Sequence, residues 1–420
     1  MRARWGQLKP QGARHGDRRP DIILISADAV RADALSLPTA RGEPPPPPHV
    51  TPQLLARASE GAVFTQAHSP ASSTRQSFRA LFTGVYPSLS EAPKTRRWSL
   101  SLGDQQATLA ERLKATGYRT YALISARGTF TAHKSAMRGF GRLDLTPAKA
   151  WARLKHAAPT HVDRIISHLS DPLRPPTFIW THLLDTHQRY SSGPHNPQRP
   201  RFKGPRTRYH KALYSVDAAL GRLLSFALSP TRRHRTLVIF TSDHGQLFGE
   251  GGLGRDLHGL STLSAETHVP LMVWGAGVKP GRHATPVSLL DLYPTLLEVM
   301  GLEGATWSCG HSLSKTLFEG LSPQPRPLLL EQLPDHSKQS FGVSWLSGGD
   351  RLDELPLEGR WRVSRHAHPN DHPNNHPDDQ VKLFAQGEGG EREREVRARL
   401  RAELKAHLQR VGVDPTPYGL

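Results

Sequence analysis

Apolar residues recur along this chain in two rhythms, and the alternation between them is the first sign of its architecture. Unbroken aliphatic and β-branched runs occupy 21–28 (Asp-Ile-Ile-Leu-Ile-Ser-Ala-Asp), 119–125, 177–184, 236–241 and 267–274. They lack polar alternation, so they predict strands buried on both faces, as in a parallel sheet. Between them, apolar residues fall at helical spacing. One helix is predicted after Thr51-Pro52, with Leu54, Leu55, Ala58 and Ala62 on one face, and another of about nine residues after Ser72, Ser73 and Thr74, stopped by Gly84 and Pro87. Further helices are predicted over 107–116, 162–169, 209–228 and 287–301. This is the rhythm of an α/β fold. Past 320 it changes to short strand candidates at 327–330, 341–345 and 360–363. These precede a charged helix over 391–411, with Val396, Leu400, Leu404 and Leu408 four apart and Gly412 as its stop. Three parts follow: a basic tail over 1–20, a main body over 21–320 and a small α+β subdomain over 321–420.

Length and composition refine that division. The chain has 420 residues, more than a single core usually fills, about 250–300. With 36 Pro and 36 Gly it carries generous loop margins. Pro44–Pro48 reads as a stiff surface spacer, and His366–Asp379, where His-Pro pairs recur, as a loop and not a metal store. Fifty-five Lys and Arg against 37 Asp and Glu give +18, a field that attracts anions without choosing among them. The terminal helix reads as a docking helix, so no specific nucleic acid is expected. One cysteine, Cys309, excludes an internal disulfide and a cysteine-rich zinc site, so any metal must be held by oxygen and imidazole. No run of 18 apolar residues exists, so no membrane span is expected and the chain reads as cytoplasmic. A start placed downstream of an export segment would make it periplasmic or membrane-associated.

Candidate chemistry sits where the strands end. The run 21–28 closes on Asp28, 177–184 is followed by Asp185 and His187, and 236–241 by Asp243 and His244, while Thr74 stands at a helix start. Taken singly, Asp243 reads as a helix cap and Thr74 as another, but the C-terminal ends of neighbouring parallel strands converge. Carboxylate and imidazole ligands suit Mg, Mn, Ca or Zn, and such an ion beside a hydroxyl can make it a nucleophile toward a tetrahedral oxyanion ester. Residues 245–259 hold six glycines and His258, a loop of the kind that closes over sites.

Over roughly residues 20–320 the ordered blocks resemble the sulfatase family of the alkaline phosphatase superfamily. They are 23–33 with its Asp followed by Arg-x-Asp, 73–87 ending Leu-Phe-Thr-Gly-Val-Tyr-Pro, 182–190 with His-x-x-Asp-x-His, 240–245 with Thr-Ser-Asp-His-Gly, 258–274 and 288–295. The resemblance implies an alkaline-phosphatase-like three-layer α/β/α sandwich with a large, mostly parallel sheet, one bound divalent ion and an anionic ester substrate. It also marks departures. The position that sulfatases oxidise from Cys or Ser to formylglycine is Thr74, the arginine four residues later is Phe78, the second aspartate is Ala29, and the usual asparagine is His244. A lysine common near His258 is missing.

These departures imply a phosphate or sulfate ester hydrolase, or a phosphotransferase, without formylglycine. Thr74 is the expected nucleophile, and Asp28, Asp243 and His244 the expected ligands together with Thr74. His187 and His258 would steady the oxyanion and protonate the leaving group, and Arg75 or Arg79 would stand in for the missing arginine. A sulfuric ester hydrolase using unmodified Thr74 and a catalytically lapsed polyanion-binding protein are the alternatives.

Overall fold

The computed structural model describes residues 19–37, 49–90, 92–94, 97–99, 106–125, 137–145, 157–171, 174–187, 190, 200–204, 206–334, 342–355, 360–365, 384–385, 389–413, 415–418 and 420. The tail over 1–18, the Pro44–Pro48 spacer and the His366–Asp379 loop lie outside the described residues. Nine strands form the principal sheet: β1 (Asp21–Ala27), β2 (Ala62–His68), β3 (Arg119–Ile124), β4 (Arg142–Leu145), β5 (Thr177–Leu183), β6 (Thr236–Thr241), β7 (His268–Gly275), β8 (Gly281–His283) and β9 (Val287–Ser288). Their order is β8-β2-β7-β6-β1-β5-β3-β4, with β9 also pairing β2. All run parallel except β7, which opposes both β2 and β6. β1 therefore lies at the centre, in register with β5 through Ile22–Phe178 and with β6 through Ile22–Leu237.

The pleat sends alternate side chains to opposite faces, and each face has its own core. Ile22 and Leu24 pack with Trp180, Ile239 and the apolar sides of α2 (Thr74–Thr83), α3 (Leu109–Ala115) and α6 (Leu292–Val299). Ile23 and Ile25 pack with Phe240 and with α1 (Pro52–Arg57), α4 (Ala157–Ser170) and α5 (Thr207–Ala227). A three-layer α/β/α sandwich results, as expected from the unbroken apolar runs. Among the described residues no helix is long and apolar enough to cross a membrane.

Differences from the sequence reading have local causes. The helix expected through Ala62 ends at Arg57, because Gly61 passes so close to Val273 and Trp274 that a Cβ would lie 2.4 Å from both, and Ala62 already belongs to β2. The helix expected from 287 begins at Leu292. Val287 pairs with Ala67, and Ser288 and Asp291 exchange hydrogen bonds that start the chain on a tight turn. The glycine-rich 245–259 stretch contains a small ribbon, 247–248 against 255–257.

A second, antiparallel sheet comprises β10 (Leu328–Gln332), β11 (Gly342–Ser347), β12 (Asp350–Leu355), β13 (Arg360–Arg365) and β14 (Phe384–Ala385). β12 escaped the sequence reading because Asp350-Arg-Leu-Asp-Glu-Leu is too charged to look like a strand. Its charges are paired instead: Asp353 takes Arg351 at 2.7 Å and Arg362 at 2.7 Å. Helix α7 (Glu391–Val411) buries Leu400, Leu404 and Leu408 against this sheet and ends on Gly412 in the left-handed region. β10 continues into the main body. Glu331 N donates to Pro70 O at 2.8 Å, Ser72 Oγ to Gln332 Oε1 at 2.8 Å and Gln76 Nε2 to Leu333 O at 2.7 Å.

His161, on α4, is buried against β5 and pairs Nδ1 with Thr181 Oγ1 at 2.7 Å. Burial first, then the charge of Arg164, pushes its imidazole down to about 4. The unfolded chain thus binds the proton more readily, and stability is lost as pH falls from about 6.5 through 4. Between pH 7.5 and 5 this residue should account for about 2 kcal/mol of lost stability. Calorimetric melting at the two pH values should show a smaller loss for His161→Gln than for the parent. Equal losses would mean that His161 is already charged in the folded protein.

Candidate active site

The central strands deliver their chemistry at one edge. Asp28 follows β1, Asp243 follows β6, and His182 is the penultimate residue of β5, with all three side chains buried. One ligand atom from each lies within 4.8 Å of the others. His182 Nε2 is 3.2 Å from Asp28 Oδ2 and 3.8 Å from Asp243 Oδ2. Asp28 Oδ1 and Asp243 Oδ2 are buried without a hydrogen-bond partner among the described residues, an arrangement that costs several kcal/mol per charge unless a positive charge joins it. The Ser26 hydroxyl, which gives its one proton to Thr181 O, stands 3.0 Å from His182 Nδ1, so that nitrogen donates. The Nε2 position then faces two carboxylates, and it must carry a proton or meet a cation.

Electrostatics agree with the geometry. Burial alone would raise the Asp28 carboxyl, but the charge of His187 and the His182 hydrogen bond hold it well below the usual carboxylate range. Burial would lower His182, yet Asp243 and Asp28 raise it above its ordinary value. The chain is fixed tightly around these groups. Ser242 Oγ accepts from Val30 N at 2.8 Å and faces Ala27 O and His244 O at 2.6 Å each. Ala29 takes a left-handed φ of 58°, and Tyr209 Oη pins that turn by accepting from Arg31 N at 2.9 Å and donating to Ala29 O at 3.0 Å. Arg31 does not face the site. It is buried between Asp33 at 2.7 Å and Glu250 at 2.5 Å.

Thr74 opens α2, half-buried, and its Oγ1 lies 3.1 Å from His244 Nε2. His244 Nδ1 is 2.8 Å from Gly245 O, which only accepts, so Nδ1 carries a hydrogen, and it is Nε2 that faces Thr74, able to accept a proton whenever the ring is neutral. Gly245 allows this because a Cβ there would sit 2.0 Å from Ala265 O. Ser73, the residue before the helix, makes no capping bond through its side chain, so these hydroxyls are not serving as a cap. His258 stacks on His244 with ring centroids 4.4 Å apart, and His187 meets His258 edge-on at 5.2 Å. Arg75 is half-buried beside Thr74 and has no hydrogen-bond or ion-pair partner among the described residues, whereas Arg79 is buried along α2.

All seven expected site residues thus occupy one edge of the sheet or the adjoining start of α2, but their grouping differs from the expectation. His244 lies 3.4 Å from Asp243 Oδ2 yet closer to Thr74. His182, overlooked as a candidate, completes the compact triad. Inside an apolar strand it read as core, and the only signal was its place as the first residue of His-x-x-Asp-x-His. Asp185 turns away, accepting from Ala158 N at 3.4 Å at the start of α4, and burial pushes its carboxyl up to about 7. Phe78 fills the place of the missing arginine and sets its ring edge-on to His182 at 4.8 Å.

With this geometry established, comparison with known proteins is informative. A family model described as Sulfatase matches residues 20–302. Over 122 residues the chain is 34% identical to arylsulfatase K of Danio rerio, a match covering 28% of this chain and 23% of that protein. It is 33% identical over 135 residues to choline-sulfatase of Rhizobium meliloti (strain 1021), covering 31% and 25%. Those matches span only about a quarter of the relatives' own length. Among solved structures, phosphonate monoester hydrolase of Agrobacterium radiobacter aligns with a TM-score of 0.71 over 94% of this chain and 96% of that one, at 16% identity, a likeness of fold.

The unpaired carboxylate oxygens make a cation-binding test direct. Added Mn²⁺ or Ca²⁺ should raise the melting temperature of the metal-free parent in a saturable way, because ligand binding to the folded state alone stabilises it. Asp243→Asn keeps the acceptor for Ala29 N and His244 N but loses the charge, and its metal-induced shift should vanish. An unchanged shift in that variant would place the cation elsewhere.

Proposed function

This chain belongs to the sulfatase family, and on that premise we propose that it hydrolyses, or transfers from, sulfate, phosphate or phosphonate esters, with Thr74 as nucleophile at a divalent-metal site. The observation that carries this reading is the 3.1 Å contact between Thr74 Oγ1 and His244 Nε2, beside two buried carboxylates that each keep one oxygen without a hydrogen-bond partner among the described residues. A nucleophile paired with a base, and the base oriented in turn by a third group, is the arrangement covalent catalysis needs.

Asp28, Asp243 and His182 would hold the divalent ion, whose charge offsets that of the ester oxygens and lowers the pKa of a nearby hydroxyl. His244 accepts the Thr74 proton as Oγ1 attacks the central sulfur or phosphorus, and the bond to the leaving oxygen breaks on the opposite side. His258 and His187 flank the mouth and give the leaving oxygen its proton. Arg75, without a hydrogen-bond or ion-pair partner among the described residues, holds the non-reacting oxygens. Water, or an acceptor alcohol, then attacks the threonyl ester. That nucleophile gives its proton to the histidine, His258 or His187, that protonated the leaving oxygen, while His244 returns its proton to Thr74 Oγ1 as the threonyl ester bond breaks, so every group regains its starting state. Threonine cannot be converted to the formylglycine aldehyde that serves other members, which resembles the phosphorus-processing branches of the superfamily. The names of the curated relatives favour sulfate.

Parallel assays with an aryl sulfate, a phosphate monoester, a phosphodiester and a phosphonate monoester decide among them. Intact-mass analysis should find unmodified Thr74 in the resting protein and a covalent adduct on it during turnover. Thr74→Ala should lose about 10³-fold or more in rate, and His244→Gln about 10²- to 10⁴-fold. If Thr74→Ala turned over every ester as fast as the parent, the nucleophile assignment would be wrong. Absence of turnover, with sulfated polyanions still bound, would favour a lapsed member instead.

A further inference from the structure

At the opposite end of α2 from Thr74, the chain leaving the helix, the 306–311 turn and α7 enclose a cavity of ≈ 820 Å³. Sites for small organic molecules run to about 300–1,000 Å³, whereas a lone inorganic ion would leave most of this space empty. Its walls include the half-buried ring of Trp307, a flat surface suited to another flat ring, with Tyr86 and Trp345 buried behind.

The polar groups in this cavity do not balance one another. Arg326 is committed to Asp291 at 2.5 Å. Glu403 is committed to Arg399 at 2.9 Å and accepts from Trp345 Nε1 at 3.3 Å. Arg410 has no ion-pair partner among the described residues, so its guanidinium is the one left open to a ligand. His407 stands between the rings of Trp345 at 4.8 Å and Tyr86 at 5.7 Å, and its Nε2 is buried with no hydrogen-bond partner among the described residues. An orphaned ring nitrogen, an uncompensated guanidinium and aromatic walls share one space.

We propose that this cavity binds a small aromatic anion, a carboxylate or sulfonate, with its ring against the Trp307 indole and its charged group toward Arg410 and His407. The site is separate from the Thr74 centre and does not depend on the reading given to that centre. Burial, together with the charges of Arg410 and Arg326, lowers the His407 imidazole to about 4. A neutral ring can donate one hydrogen bond to the anion without adding a second full charge.

Isothermal titration of the full chain with 2-naphthalenesulfonate, and with 2-naphthol as its uncharged counterpart, tests the proposal. One saturable site is expected, with naphthol weaker by about tenfold or more. Arg410→Glu changes an exposed side chain and should weaken the sulfonate by about tenfold or more, since charge complementarity is reversed. Ala406→Phe, on the exposed surface of α7 at the cavity lining, should block binding while the melting temperature is kept. Three outcomes would overturn the proposal: no saturable binding, naphthol as tight as the sulfonate, or sulfonate affinity unchanged in Arg410→Glu. The last would mean that the probe occupies another place, the Thr74 centre included.

Discussion

Two carboxylates buried side by side on neighbouring strand ends are the constraint on which the rest of the site depends. Asp28 and Asp243 are there because β1 and β6 are parallel, adjacent and of matched length, so their C-terminal ends coincide. Each keeps an oxygen without a hydrogen-bond partner among the described residues. A fold tolerates such an arrangement only when positive charge is available between the oxygens, as a proton on His182 or as a bound cation. The surrounding hydrogen bonds serve that placement. Ser242 ties the exits of β1 and β6 together, Tyr209 fixes the left-handed turn at Ala29, and Arg31 secures the loop that begins at Gln246.

The small second sheet takes part in the same constraint. Thr74 can face His244 only if the approach to α2 is held still, and that approach is irregular chain from Ser69 to Ser73. Its hydrogen bonds go partly to β10, through Pro70 and Ser72, and Gln76 inside α2 bonds Leu333 just past that strand. From the other side, Arg351 on β12 reaches Ser264 Oγ at 2.8 Å, in the segment whose carbonyls at 265 and 266 receive Gln246 N and Gly245 N. The antiparallel sheet therefore braces both partners of the Thr74–His244 contact. A side chain shift of 1 Å there would separate donor from acceptor, so the rigidity of the added sheet bears directly on the proposed chemistry.

What was legible in the sequence followed from periodicity. β1, β5, β6 and β7 are unbroken apolar runs, and Asp28 and Asp243 stand out because a carboxylate ends each of two such runs. Helix α7 was legible to its last residue, since its leucines repeat every fourth position and Gly412 can take the left-handed conformation that ends it. What was not legible depends on pairing across the fold. β12 can be a strand because its charges find partners, Asp353 with both Arg351 and Arg362 of the neighbouring strand, a fact no local pattern carries. His182 looked like a core residue because it is one, and only the neighbouring strand gives its Nε2 two carboxylates to face. Asp185 looked like a ligand at a strand end, but the start of α4, 27 residues upstream at Ala158, takes its side chain.

The replacement of an arginine by Phe78 also has a physical reading. Thr74 and Phe78 are four residues apart on α2 and share a face, so a guanidinium at 78 would lie against His182 in a fully buried pocket. It would compete with whatever positive charge Asp28 and Asp243 require there. The phenyl ring instead meets the imidazole edge-on and continues a stack through Trp180 and Phe82, which adds packing without charge. The positive charge beside His182 can then be supplied by a proton or a metal ion alone. In the proposed reaction the substrate's own negative charge would be met further out, by Arg75, His187 and His258, half-buried residues where a charged side chain costs less to keep.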